Sequence, residues 1–237
     1  MLPFVYIFGL KISTYWLCMA FGFALMLILM LFRRHIFQLK VIPTILLVIL
    51  LMLSGLVGGK ILYILENMTE VLREGISLAG FSFFGAVFLI PIVMYVIREL
   101  FDLDRFQILD ACAPCVSIMI AIIRFGCFLN GCCGGIYIKG ALVRWPTQAI
   151  ESIFDILIFL KLLNLENGKK LSGNLYAFFL KYYGCIRFLI EFLRDTSKNY
   201  FGLSSGQIFS IIAVLMGEGC ILYRQRCWKR KNEEESI

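Results

Sequence analysis

The chain has 237 residues, 60% of them hydrophobic and 16% charged, with a formal net charge of +7 and a mean hydropathy of +0.86. Soluble domains lie nearer about 45–50% apolar and about 25% charged. A soluble globular domain is therefore excluded: a chain of this size has no interior able to hide so much apolar surface, and the bilayer stands in for the missing core. The positive balance does not point to nucleic acid either, because the basic residues sit between apolar runs, as in membrane proteins.

A helix needs about 20 apolar residues to cross the hydrocarbon core. Runs near that length cover 10–32, 42–65, 77–97, 107–130, 147–164, 174–193 and 205–223. Each is bounded by charges or glycine. Backbone polar groups in lipid must be satisfied internally, and these runs lack the polar–apolar alternation of a β-barrel. The expected fold is all-α: a polytopic membrane bundle of about seven transmembrane helices. Residues 1–225 are expected to form one multi-pass domain, and 226–237 a short charged cytoplasmic tail. No cleavable leader is expected at the N-terminus, which has no charged leader or small-residue cleavage site.

The connections set the orientation. The first carries Arg33, Arg34 and Lys40, the third Arg98 and Arg105, the fifth Lys169 and Lys170, and the tail Arg224, Arg226, Lys229, Arg230 and Lys231. The even connections are poorer, with Arg73, then Lys139 and Arg144, then Lys198. By the positive-inside rule the N-terminus is outside and the C-terminus cytoplasmic.

A charge within the membrane is costly unless it meets a partner or a polar cavity, so each one is a functional candidate. Tyr15 lies near the outer end of the first run, and Lys60 near the outer end of the second. Arg124 lies late in the fourth run, Glu151 opens the fifth, and Arg187, Glu191 and Arg194 lie late in the sixth. Seven polar residues from five helices are thus expected at one depth. Arg187, Glu191 and Arg194 are spaced i, i+4, i+7 and share a helix face. They read either as a self-satisfied ion-pair stripe or as a guanidinium fork for a phosphate or carboxylate, with Glu191 holding one arginine in place. Lys181 is left unassigned, and Asp155 reads as a structural polar contact.

Between the fourth and fifth runs lies a glycine- and cysteine-rich bend. Gly126, Gly131, Gly134 and Gly135 permit positive φ and close backbone approach to a ligand. Asn130 adds an amide, Pro146 opens the next helix, and Gln148 adds a donor and an acceptor. Of nine cysteines, Cys127, Cys132 and Cys133 cluster here. Most of the others, such as Cys18, Cys112, Cys115, Cys185 and Cys220, sit singly in apolar runs as small hydrophobes. A four-ligand zinc site needs a further Cys or His, and the one histidine, His35, is expected across the membrane. No metal and no cofactor is therefore expected, and whether the three thiols are passive, disulfide-forming or reactive stays open.

These residues carry a resemblance. Arg124-Phe-Gly-Cys-Phe-Leu-Asn-Gly-Cys-Cys-Gly-Gly135 resembles the signature R-x-G-N-F-x-N-G-E-x-x-G of the bacterial prolipoprotein diacylglyceryl transferases. Asp110 with Ala113-Pro114 matches the D-x-x-A-P that opens the same helix. Arg144-Trp-Pro-Thr-Gln-Ala-Ile-Glu151 resembles R-H-P-[ST]-Q-L-Y-E, and Gly184-Cys-Ile-Arg187-Phe-Leu-Ile-Glu191-Phe-Leu-Arg194 resembles G-x-x-R-F-x-x-E-F-x-R. Gly58-Gly59-Lys60-Ile-Leu-Tyr63, Ser13-Thr-Tyr15 and Leu203-Ser-Ser-Gly206-Gln207 are similar to further blocks, in family order along nearly the whole chain.

The resemblance implies a transferase of the bacterial inner membrane that moves diacylglycerol from phosphatidylglycerol to the lipobox cysteine of a prolipoprotein signal peptide, releasing glycerol 1-phosphate. It implies catalytic roles for Arg124, Arg187, Glu191, Tyr15 and Glu151. It implies phosphatidylglycerol binding by Arg124, Asn130, Gly131, Gly135, Gln148, Lys60 and Arg194, with the site toward the outer leaflet. The chain departs from the family at Phe84, where a histidine is usual, and at Cys127, Cys132 and Trp145 in place of asparagine, an acidic residue and histidine. Three alternatives stand beside the transferase: a paralogue transferring to another acceptor, a silent lipid- or lipoprotein-binding protein, and a transporter. The absence of a visible internal repeat weighs against the last.

Overall fold

The computed structural model describes all residues except 1, 8, 67, 76–82, 139–141, 168–173, 197–201 and 235–237. Lys139, Lys169, Lys170, Lys198 and the start of the third run at 77–82 lie outside the described residues. The described chain is mostly helical. After strands β1 (Phe4–Ile7) and β2 (Leu10–Ser13) come α1 (Thr14–Arg33), α2 (Val41–Glu66), α3 (Met68–Glu74) and α4 (Phe83–Phe101). Then follow α5 (Arg105–Asn130), α6 (Thr147–Asn167), α7 (Leu175–Ile190), a 3₁₀ turn at Glu191–Leu193, and α8 (Ser205–Glu234).

Each of the seven apolar runs holds a helix. Among the described residues, four of these helices, α1, α2, α5 and α8, are long and apolar enough to cross a membrane. The molecule is thus a helical membrane protein. Two local expectations are corrected. Residues 10–13, read as the start of the first helix, form the second strand of an antiparallel hairpin in which Phe4 faces Ser13 and Ile7 faces Leu10. The turn between the strands holds Gly9 at φ 80°, a conformation that glycine adopts without penalty. Leu10-Lys-Ile-Ser13 alternates apolar and polar residues, which suits a strand. The short helix α3 falls between two runs, in a stretch read as a connection.

The contacts divide the chain into two compact units, one of Met1–Met26 with Leu109–Ile237 and one of Leu27–Ile108. In the second, α2 packs against α4 where Gly58 meets Gly85. A Cβ on Gly58 would lie 2.3 Å from the Gly85 carbonyl oxygen, and one on Gly85 would lie 2.0 Å from that of Gly58. Two facing glycines let the backbones touch, the usual device for helix association in lipid.

In the first unit, two serines strap α5 to α6. Ser117 Oγ donates to the Asp155 carbonyl, and Ser152 Oγ to that of Ala121, both at 2.8 Å. The pairing runs antiparallel, and Arg124, one turn beyond Ala121, reaches Glu151 beside Ser152. α7 and α8 meet through reciprocal glycines: a Cβ on Gly184 would lie 2.8 Å from the Ser210 carbonyl oxygen, and one on Gly217 would lie 2.7 Å from that of Ala177. At the far end of α5, Asp110 accepts the Tyr176 N–H at 2.9 Å and pairs with Arg224 at 3.1 Å. Lys181, unassigned from sequence, pairs with Glu218 across α7 and α8.

Candidate functional site

Three helices, a 3₁₀ turn and one extended residue bring five charges together. Glu151, in the first turns of α6, is 4% exposed, and Glu191, at the start of the 3₁₀ turn, is 2% exposed. Arg124 Nε lies 2.8 Å from Glu151 Oε2. Arg187 bridges both carboxylates, Nη1 to Glu151 and Nη2 to Glu191, the latter at 2.8 Å. Arg194 also reaches both but at longer range, 3.7 Å to Glu151 and 3.5 Å to Glu191.

Arg194 arrives by a route the spacing does not predict. The helix face shared by Arg187, Glu191 and Arg194 is interrupted: α7 ends at Ile190, the 3₁₀ turn follows, and Arg194 is extended, at φ −87° and ψ 148°. The cause is a competing pairing. The Ile136 N–H donates to the Leu193 carbonyl at 2.9 Å, and Gly135 and Arg194 form an antiparallel bridge. The cysteine-rich bend thus pulls the chain out of the helix and turns Arg194 back toward the carboxylates.

Three guanidiniums face two carboxylates, which leaves one formal positive charge. The arginines are not equally engaged. Nε and Nη1 of Arg194 are buried and make no hydrogen bond among the described residues. The like charges of Arg187 and Arg124 lie within electrostatic reach of its guanidinium. An anion placed there would relieve both effects.

The bend itself is pinned to the start of α6. The Gly135 N–H donates to the Trp145 carbonyl at 2.9 Å, and the Trp145 N–H to that of Ile136 at 3.0 Å. Thr147 Oγ1 lies 3.4 Å from the Cys133 carbonyl oxygen, and Gln148 Nε2 donates to that of Cys132. Gln148 is 3% exposed. Its Oε1 is buried without a hydrogen bond among the described residues, an acceptor waiting for a donor. Asn130 closes α5.

The glycines play roles that differ from the expected uniform freedom of backbone. Gly131 is the one at positive φ, 75°. Gly135 serves close approach: a Cβ there would lie 2.4 Å from the Leu193 carbonyl oxygen and 2.8 Å from Trp145 Cβ. Gly126 admits α1, since its Cβ would lie 2.6 Å from Cys18 Cβ and 3.7 Å from the Cα of Tyr15. Tyr15 is thereby held against the last turns of α5. Lys60 lies on α2 in the other unit, with Nζ 5.1 Å from the Tyr63 ring centroid.

Sequence reasoning missed the clamp around Glu191. Thr196 Oγ1 donates to Glu191 at 3.0 Å and Ser204 Oγ at 2.9 Å. Ser204 also caps α8, accepting the Gln207 N–H at 3.2 Å, while Gln207 Oε1 accepts the Ser204 N–H at 3.0 Å. A Cβ on Gly206 would lie 2.7 Å from the Glu191 carboxyl carbon. The block Leu203–Gln207 was the available signal. Arg144, outside the cage, pairs with Asp195 at 3.5 Å and stacks on Tyr137 at 4.6 Å.

Chemically, this is a rigid cationic cage with a surplus charge, beside a polar backbone bend. An apolar groove of about 380 Å³, lined by Gly184, Phe188, Leu189, Ile211, Val214 and Leu215, runs between α7 and α8. The surplus positive charge of the cage suits an anionic ligand.

Comparison with known proteins agrees. A family model described as prolipoprotein diacylglyceryl transferase matches residues 3–223. A phosphatidylglycerol–prolipoprotein diacylglyceryl transferase of Clostridium tetani is 30% identical over 238 residues, covering 89% of this chain and 92% of that protein. The second such transferase of Clostridium perfringens is 30% identical over 251 residues, 96% of each. One of Dehalococcoides mccartyi is 27% identical over 198 residues, 76% of each.

Proposed function

The chain belongs to the prolipoprotein diacylglyceryl transferase family, and we propose that its arginine–glutamate cage holds the phosphate of phosphatidylglycerol during transfer. The reaction moves the diacylglyceryl group from phosphatidylglycerol to a prolipoprotein, and the acceptor atom is the lipobox cysteine sulfur. That sulfur attacks the glycerol carbon bearing the phosphate ester. A thioether S–C bond forms, the C–O bond breaks, and glycerol 1-phosphate leaves with the electron pair.

The single observation that carries the role of the cage is its uneven commitment. Arg124 and Arg187 are tied to Glu151 and Glu191, while Arg194 keeps buried, unbonded donors. A phosphate completes Arg194 and neutralises the surplus charge. As the leaving group gains charge, donors already held in place stabilise it without reorganising. Glu151 and Glu191 act as orienters of the arginines. Gln148 Oε1 accepts a hydroxyl of the glycerol headgroup, and Asn130, Gly131 and Gly135 shape the bend around it. Tyr15, against Gly126, stands at the mouth for proton relay.

Seven helices, α1, α2 and α4 to α8, cross the inner membrane in this reading, with the N-terminus outside. This follows from the apolar runs and the lysine and arginine bias, and it puts the cage in the outer half, where translocated prolipoproteins and outer-leaflet lipid meet. Purified protein mixed with phosphatidylglycerol and a lipobox peptide tests the reading by mass. The peptide is expected to gain one diacylglyceryl group. Bound lipid without any gain refutes transfer and leaves a lipid-binding protein.

A further inference from the structure

The transferase reading leaves three thiols without work. Cys127, Cys132 and Cys133 come from the last turn of α5 and the bend after it, and their Sγ atoms all lie within 4.8 Å of one another. Cys132 Sγ donates to the Cys127 carbonyl at 3.7 Å. The backbone is folded to gather them. Gly131 turns the chain at φ 75°, and Cys133 takes φ 60°, a left-handed conformation that costs a non-glycine residue and persists only where surroundings impose it. The Cys132 N–H donates to the Cys127 carbonyl at 3.2 Å. Gln148 and Thr147 hold the Cys132 and Cys133 carbonyls.

We propose that Cys127, Cys132 and Cys133 form a three-thiolate site for a zinc-class cation, with the acceptor cysteine sulfur as the fourth ligand. The geometry supports the first half. A Zn–S bond of about 2.3 Å in a tetrahedron gives an S–S edge of about 3.8 Å, so the triad needs only a small contraction. Soft thiolate ligands select such metals over magnesium or calcium. The location, at the C-terminal end of a helix, carries partial negative charge and favours a cation. Arg124 and Arg194 lie within electrostatic reach of Cys133.

The second half rests on the transferase reading. Three protein ligands leave one tetrahedral position, the arrangement of catalytic rather than structural zinc. A thiol that binds there gives its proton to water and remains as a nucleophilic thiolate. That supplies activation without a base where the family's histidine is replaced by Phe84. The bound sulfur then forms the S–C bond as the phosphate ester's C–O bond breaks toward the arginines.

The test uses the full chain in detergent, loaded with cobalt(II) as a spectroscopic probe for zinc. One ion per chain is expected, with tetrahedral d–d bands and sulfur-to-metal charge transfer. A lipobox peptide is expected to raise the charge-transfer intensity by about one third, from three sulfur ligands to four. The same peptide with serine for cysteine leaves it unchanged. The double variant Cys127→Ser with Cys132→Ser keeps both side chains near their original size but removes two of the three sulfur ligands, so it should keep its helical circular dichroism while losing the metal. Failure to load one ion, loading that survives in that variant, or no fourth sulfur each overturns the proposal. Because loading is read without turnover, a fourfold sulfur spectrum with no diacylglyceryl product would instead overturn the transferase reading alone.

Discussion

Arg194 is the residue whose replacement separates ligand binding from folding. Its Nε and Nη1 make no hydrogen bond among the described residues, and its ion-pair distances are long, 3.5 and 3.7 Å. Changing it to glutamine removes little from the folded protein. The lost attraction to Glu151 and Glu191 is offset by relief from the like charges of Arg187 and Arg124. A phosphate, by contrast, loses a charge-assisted hydrogen bond worth about 1.5–3 kcal/mol. At about 1.4 kcal/mol per factor of ten, phosphatidylglycerol affinity falls roughly 10- to 150-fold. The assay is lipid binding by the variant in nanodiscs containing graded phosphatidylglycerol, read beside the melting temperature. Unchanged affinity, or a loss of melting temperature as large as that of Arg187→Gln, would refute the assignment of Arg194 to the ligand.

Arg187→Gln should do the opposite first. It removes the guanidinium that bridges two buried carboxylates, so stability falls by about 3–5 kcal/mol, visible as a lower melting temperature with or without lipid. Glu151→Gln unpairs the centre of the network and raises the cage from +1 to +2. Lipid is retained in the binding assay while turnover drops at least about 100-fold through lost positioning. Gly206→Ala would push against the Glu191 carboxyl carbon at 2.7 Å and should lower turnover while the helical circular dichroism is kept. Gly85→Val, at a contact where even a Cβ would lie 2.0 Å from the Gly58 carbonyl oxygen, should destabilise the α2–α4 pair by about 1–3 kcal/mol or more, measured by thermal denaturation.

Much of the helical fold was legible because lipid simplifies the code: a run of about 20 apolar residues has few alternatives to a helix. The hairpin at the N-terminus escaped that logic. Its strands are apolar enough to extend a hydrophobic run, and only the Lys11 and Ser13 alternation and Gly9 mark it. The cage was half legible. Arg187 and Glu191 are four apart on one helix, so their pairing follows from sequence alone. Arg124 and Glu151 required the reciprocal serine straps between α5 and α6, which no local pattern announces. Arg194 was placed in the right cluster for the wrong reason, since its position depends on the Gly135 bridge rather than on helical periodicity. Thr196 and Ser204 carry no charge, so nothing in composition singled them out as holders of Glu191. The thiol triad was visible as spacing, but whether three sulfurs converge depends on backbone angles at Gly131 and Cys133, which sequence does not reveal.

The most direct measurement is single-turnover transfer by the purified full chain, followed by mass spectrometry of a lipobox peptide in phosphatidylglycerol nanodiscs. The wild-type chain should add one diacylglyceryl group to the cysteine and release glycerol 1-phosphate, while Arg124→Ala and Arg187→Ala should yield no product. Full activity in either variant would contradict the phosphate cage.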